Sequence, residues 1–199
     1  MYGIMTDTDK INFEEALRMA IWAFPKEKLK ILEIGVCHGD TARGIKQYYA
    51  YYHTPIEYWG VDNNKDLKVE PPFPGANLVI GPSEDVHHKV PNGFHLIFID
   101  GCHCSNHVML DFLNYGRKTT LNGLVVFHDV SPAAQNKYDY QGHGDKVNHE
   151  TGTSTRTALY KLGLQTSKTP QFRADWNLIF ERWDDHSDWG GIGVYQRIQ

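Results

Sequence analysis

A chain of 199 residues with a net charge of −4 can bury a full core, and its charge offers no footprint for nucleic acid or an anionic membrane. No apolar run approaches the roughly 20 residues needed to span a bilayer, and the opening MYGIMTDTDK lacks the basic-then-apolar pattern of a signal peptide. Three cysteines, Cys37, Cys102 and Cys104, are too few and too odd for a disulfide framework, so the expectation is one cytoplasmic domain over 1–199 with neither nucleic-acid nor membrane partners.

The first predicted element is a helix. Asn12 followed by Glu15 resembles a capping box, and Phe13, Leu17, Ala20, Ile21 and Phe24 recur at helical spacing until Pro25. This helix is expected to pack as an N-terminal extension over 1–29. Lys30–Gly35 reads as a buried strand, Gly35–Gly39 as a tight turn, and Thr41–Tyr52 as a helix. A second strand over Ile56–Val61 ends at Asp62. The PPFPG segment that follows excludes a long regular element.

Asn77–Ile80 is a third strand, Ser83–Val90 a short helical turn, and Phe94–Ile99 a fourth strand. The next helix carries Val108, Phe112 and Tyr115 on one face. Asn122–Gly123 is expected to break it before a fifth strand over Leu124–Phe127. Strands alternating with helices argue for an α/β fold with a parallel, doubly wound sheet and right-handed crossovers. Ser131–Thr153 has no apolar period, and a run of that length is commonly functional or mobile. Thr155–Leu164 reads as a helix. Asn177–Trp183 and Gly193–Ile198 read as a closing hairpin.

Chemistry-bearing residues gather at predicted strand ends. If the fourth and fifth strands are parallel neighbours, Asp100, His103, His128 and Asp129 share one rim, where open α/β sheets bind ligands. Asp100 and Asp129 are hard oxygen donors, and His128 adds an imidazole that shifts preference from Mg²⁺ toward Mn²⁺, Fe²⁺ or Zn²⁺. His103 reads as a general base or as a cap on the following helix. In Glu33-Ile-Gly-Val-Cys-His-Gly-Asp-Thr41, Gly35 permits close approach of a ligand, and the helix start offers free N–H groups to an anion. Cys37 and Asp40 occupy positions where a dinucleotide fingerprint needs glycine. Asp62 suits a ribose diol or a turn cap, and Glu33 a cofactor contact or a turn-stabilising role. Cys102, Cys104 and His107 read as structural residues or as a soft metal site.

LEIGVCHGDT, GVD, GPSED, FIDGCH and VVFHDV follow one another in the order and spacing of the class I S-adenosylmethionine-dependent methyltransferases. Over Ile31–Val130 the chain resembles the metal-dependent O-methyltransferases of the catechol and macrocin types. That resemblance implies a Rossmann-like, mostly parallel sheet with a C-terminal antiparallel hairpin. It implies S-adenosylmethionine bound by Glu33, Gly35, Cys37, Gly39 and Thr41 at the glycine turn, by Asp62 at the ribose, and by Ser83 and Glu84 at the adenine. Asp100 would serve both cofactor and metal, with His128 and Asp129 completing a Mg²⁺ or Mn²⁺ site and His103 as base. His128-Asp129 departs from the family's usual Asp-Asn or Glu-Asp pair. The acceptor would be a small hydroxylated molecule, a sugar or a phenol, under a lid over 131–153 that carries Tyr138, Tyr140, His143, Asp145, His149 and Glu150. Trp176 and the Trp183–Trp189 turn would wall the pocket or pack. A homodimer is compatible with the sequence. The alternative is a protein of the same fold without methyl transfer, such as the metal-containing hydroxylase-associated proteins or a module that only binds cofactor.

Overall fold

The computed structural model describes residues 5–63, 73–136, 154–164, 174–187 and 189–199. Short, mostly buried strands build one sheet with a helical layer on each face. In chain order the elements are α1 (Asp7–Ala23), β1 (Leu29–Ile34), α2 (Asp40–Tyr51), β2 (Ile56–Asp62), β3 (Asn77–Ile80), α3 (Ser83–Val86), β4 (Phe94–Ile99), α4 (Ser105–Tyr115), β5 (Thr119–His128), α5 (Thr155–Lys161), β6 (Trp176–Arg182) and β7 (Ile192–Arg197). The strand order is β3-β2-β1-β4-β5-β7-β6. β1 to β5 are parallel, while β7 runs antiparallel to both β5 and β6. This is the mostly parallel sheet with a closing antiparallel hairpin that the strand pattern predicts, and the Rossmann-like form that the resemblance implies.

Side-chain alternation decides which layer each residue enters. In β4, Leu96 and Phe98 join Phe13, Ala16 and Leu17 of α1, while Ile97 and Ile99 join Val108 and Phe112 of α4. Phe13 lies 4.5 Å, centroid to centroid, from Phe98. β5 repeats the pattern: Leu124 and Val126 face α1, and Val125 and Phe127 face α4. His128 comes next in that alternation, on the α1 side.

Two boundaries differ from the sequence reading. α1 begins at Asp7, not near Phe13. Its N-cap is Thr6, whose hydroxyl accepts from the Asp9 backbone while the Asp9 side chain accepts from the Thr6 backbone. This reciprocal box starts the helix earlier than Asn12, which is itself buried within the helix. A Thr6→Ala substitution is expected to lower unfolding free energy by about 1 kcal/mol in urea titration, through loss of the cap.

The second difference is β5, which starts at Thr119, so Asn122–Gly123 falls inside the strand instead of ending α4. α4 ends at Tyr115 in a short 3-10 turn over Gly116–Lys118. Asn122 takes a left-handed φ of 63°, and the register with β4 shifts between Phe94 and Leu96. The Asn-Gly pair marks an irregularity in the strand, one of the alternatives such a pair carries.

The order reverses between β1 and β4, which opens a crevice at their carboxyl ends. Here β1 turns into α2 at Gly35, with φ of 89°. A side-chain carbon at Gly35 would stand 2.3 Å from the Asp100 carbonyl oxygen. The turn can therefore pass β4 this closely only as glycine. No helix among the described residues is long and apolar enough to cross a membrane.

Candidate active site

Two adjoining cavities open at this crevice. The first, of about 280 Å³, is lined by Asp62, Gly81, Ser83, Glu84, Cys102, His107 and Asp111, among others. The second, of about 340 Å³, is lined by His38, Asp40, Thr41, His103, His128, Asp129 and Trp189, among others. Gly35, Cys37, Asp100 and Gly101 line both. Asp100 thus stands at the junction.

The glycine turn shapes that junction. Cys37 takes φ of 49°, and its backbone N–H donates to Asp62 Oδ2 at 2.7 Å. Gly39 is the left-handed N-cap of α2, which directs the first turn of that helix, with Thr41, at the second cavity. In the first cavity the Ser83 hydroxyl donates to Asp111 Oδ1 at 2.5 Å. Glu84 lines the same wall.

Glu33 is placed differently from the cofactor contact proposed for it. It lines neither cavity, is buried, and accepts a hydrogen bond from the Tyr58 hydroxyl. Burial pushes its carboxyl well above the usual range. The Tyr58 bond only partly offsets this, and the charges of Asp100 and Asp62 push the same way. An acid whose folded pKa is raised stabilises the fold fully below its unfolded pKa near 4.5 and loses that contribution as pH rises toward the folded value. Glu33→Gln keeps an acceptor for Tyr58 and removes the titration. Melting scans from pH 5 to 9 are expected to show a flatter alkaline decline in this variant, with the larger gain over the parent at pH 8. An unchanged decline would contradict this assignment.

The second cavity holds the acid–imidazole cluster. β5 ends at His128, and Asp129 takes a left-handed φ of 57°. That backbone turn breaks the alternation and brings adjacent residues to one rim. His128 Nδ1 lies 2.9 Å from Asp100 Oδ1 and 3.7 Å from Asp129 Oδ2. His103 bridges the same acids, with Nε2 3.4 Å from Asp100 Oδ1 and Nδ1 2.6 Å from Asp129 Oδ2. The Gly190 backbone N–H donates to Asp129 Oδ1 at 2.8 Å.

A third acid, which the sequence reading did not single out, completes the cluster. Asp9 of α1 is fully buried, and its Oδ2 lies 3.4 Å from His128 Nε2. Its Oδ1 accepts from the Gly191 backbone at 2.8 Å. α1 is therefore a wall of the site and not merely an extension. The Thr6-x-x-Asp9 spacing signals a helix start, but nothing local marks Asp9 as a partner of a histidine 119 residues away.

Charge sets the protonation of this group. Burial raises the Asp100 carboxyl, but the charge of His128 and bonds to both histidines outweigh it and hold it below the usual range. Asp9 is lowered in the same way, burial being outweighed chiefly by His128. Burial opposes a proton on His103, yet Asp100 and Asp129 raise it to about 9. His128 is raised well above its ordinary value against burial, first by Asp100 and then by Asp9 and Asp129. The acids therefore favour the protonated form of both rings.

The donor chemistry also fits a metal ion. Asp100, His103 and His128 each offer a ligand atom, and these atoms lie within 4.8 Å of one another. The mixed oxygen–nitrogen set favours Mn²⁺-like ions over Mg²⁺. Asp129, expected as a ligand from the sequence, approaches this set through His103 and His128.

Of the tryptophans, Trp189 lines the second cavity, with its ring centroid 6.4 Å from that of His128. Trp176 instead packs in the α4-side core, 5.2 Å from Phe112, and Trp183 packs at the edge of that core. Ser131–Asn136 begins the segment read as a lid and forms a short 3-10 turn at Ala133–Asn136. Tyr138, Tyr140, His143, Asp145, His149 and Glu150 lie outside the described residues.

Residues 32–130 match the family model described as a methyltransferase domain. No curated protein sequence matches the chain. Among solved structures, the chain is similar to cofactor-bound Rv0187 from MTB, at 13% identity and TM-score 0.61, covering 92% of this chain and 79% of that one. It is similar to the O-methyltransferase TomG from Streptomyces achromogenes, involved in tomaymycin synthesis and solved with SAM, at 13% identity and TM-score 0.59, covering 93% and 80%. It is also similar to the MycE methyltransferase of the mycinamycin pathway, solved with Mg and SAH, at 15% identity and TM-score 0.59. That match covers 95% of this chain but only 48% of MycE.

Proposed function

Residues 32–130 carry a class I S-adenosylmethionine-dependent methyltransferase domain, and on that premise we propose that the chain is a metal-assisted O-methyltransferase acting on a small hydroxylated molecule. The observation that carries this reading is Asp100, which lines both cavities and lies beside two imidazoles. The cofactor's nucleoside would occupy the first cavity, with Asp62 at the ribose and Ser83 and Glu84 toward the adenine. Its methionine end would lie along Gly35, Cys37 and Thr41 near the start of α2. The acceptor would enter the second cavity, against Trp189.

Asp100, His128 and Asp129 would hold a divalent cation of the Mn²⁺ or Mg²⁺ class, which leaves His103 as the base. Such an ion lowers the pKa of an acceptor hydroxyl and orients it. The chain's own contribution is position and proton transfer. Gly35 and the start of α2 would position the cofactor's methionine end at the junction, and Trp189 would screen the acceptor from water. His103 would act as the base in its neutral form, which the charges of Asp100 and Asp129 oppose by raising the ring to about 9. The magnesium and SAH in MycE, and the O-methyltransferase TomG with its SAM, support the reading.

Calorimetry with S-adenosylhomocysteine, with and without Mn²⁺ or Mg²⁺, and transfer of labelled methyl to a panel of sugars and phenols test it. Cofactor binding with metal-stimulated labelling is expected. Labelling that is unaffected by chelator would remove the metal from the proposal.

A further inference from the structure

The loop after β4 splits its side chains between the two cavities. His103 lines the second, while Cys102 and His107 line the first. Cys104, buried at the N-cap of α4, stands between the latter two. Its Sγ lies 3.0 Å from His107 Nδ1 and 3.5 Å from Cys102 Sγ. All three ligand atoms lie within 4.8 Å of one another, a group separate from Asp100, His103 and His128.

These distances suit one ion in particular. Zinc–sulfur bonds near 2.3 Å and zinc–nitrogen bonds near 2.0–2.1 Å set tetrahedral edges of about 3.8 Å between sulfurs and about 3.6 Å between sulfur and nitrogen. The observed separations are shorter by about 0.3 and 0.6 Å, so small outward rotations would admit the ion. Hard cations prefer oxygen donors, and two thiols with one imidazole discriminate against them. Three protein ligands leave a fourth position open. Because Cys102 and His107 both line the cavity wall, that position faces the cavity.

We propose that Cys102, Cys104 and His107 form a binding site for a zinc-class divalent cation in the wall of the first cavity. The ion occupies space beside Ser83 and Glu84. Zinc and cofactor therefore exclude each other, which makes the cluster an inhibitory site for thiophilic metals. This consequence, unlike the site itself, rests on the nucleoside occupying the first cavity.

Cd²⁺ titration of the full chain reads the site directly, because a thiolate-to-metal absorption band arises only from sulfur ligands and is silent to the acid–imidazole cluster. The band is expected to saturate at one Cd²⁺ per chain, to be lost in Cys102→Ser and in Cys104→Ser, and to persist in Cys37→Ser. His107→Ala is expected to weaken Cd²⁺ binding at least about tenfold. Absence of the band, or its survival in both Cys102→Ser and Cys104→Ser, would overturn the site whatever the protein catalyses. A second titration measures exclusion. With free Zn²⁺ at about one hundred times its own Kd, the apparent Kd for S-adenosylhomocysteine is expected to rise about a hundredfold in the parent and to be much less affected in Cys102→Ser. If the Cd²⁺ band behaves as expected but homocysteine-product affinity is unmoved by Zn²⁺, the site stands and its inhibitory role falls.

Discussion

Asp100→Asn is expected to lower methyl transfer by at least about a hundredfold. The substitution keeps the size and one acceptor oxygen but removes the charge that Asp100 presents to both histidines. Three consequences are expected together. The cation would lose Asp100, one of its oxygen donors, so its affinity drops. His103 loses one of the two acids that raise it, so its proton is held less tightly. The cofactor loses a contact at the junction, so S-adenosylhomocysteine binds about tenfold more weakly, the loss of one charge-assisted hydrogen bond. Labelled transfer, calorimetry and a melting scan on one preparation separate these effects. Turnover within a few-fold of the parent would refute the role proposed for Asp100.

Asp9→Ala is expected to lower unfolding free energy by about 3–5 kcal/mol, the scale for removing one partner of a buried ion pair. The substitution leaves the Gly191 N–H without its acceptor, takes a carboxylate from His128, and removes half of the Thr6–Asp9 cap. Asp9→Asn keeps the shape and some of the hydrogen bonds, and its loss is expected to be less than half as large. Urea titration at pH 7 gives both values. A parent-like midpoint for Asp9→Ala would show that α1 contributes packing alone. The same variant is expected to weaken metal binding, because Asp9 accepts from the second nitrogen of a ligand imidazole and so fixes its ring.

Most of the sheet was legible in the sequence because burial on both faces leaves short apolar runs bounded by turn residues. Leu96–Ile99 and Leu124–Phe127 are strands buried on both faces, so each reads as a short unbroken apolar run, and that run is local information. Gly35 was legible for a related reason: a tight turn after a buried strand restricts the residues that fit. The start of α1 and the extent of β5 were harder to read. Each has two plausible signals, Thr6–Asp9 against Asn12–Glu15 and Thr119 against Asn122–Gly123. The reciprocal Thr6–Asp9 cap decided the first, and pairing with β4 decided the second.

The sequence by itself set the βα order and, with the fourth and fifth strands as neighbours, put Asp100, His103, His128 and Asp129 at one rim, while the resemblance of five ordered blocks implied where cofactor and acceptor would be sought. Only the tertiary structure decided the company those residues keep. It put Glu33 against Tyr58 instead of in a cavity, brought Asp9 and the Gly190–Gly191 backbone onto the His128–Asp129 corner, and turned Cys102 away from His103. The physical reason is range. Alternation, capping and glycine turns act over a few bonds, whereas the ion pairs and desolvation that set protonation and ligand choice depend on groups brought together only when the sheet and both helical layers close.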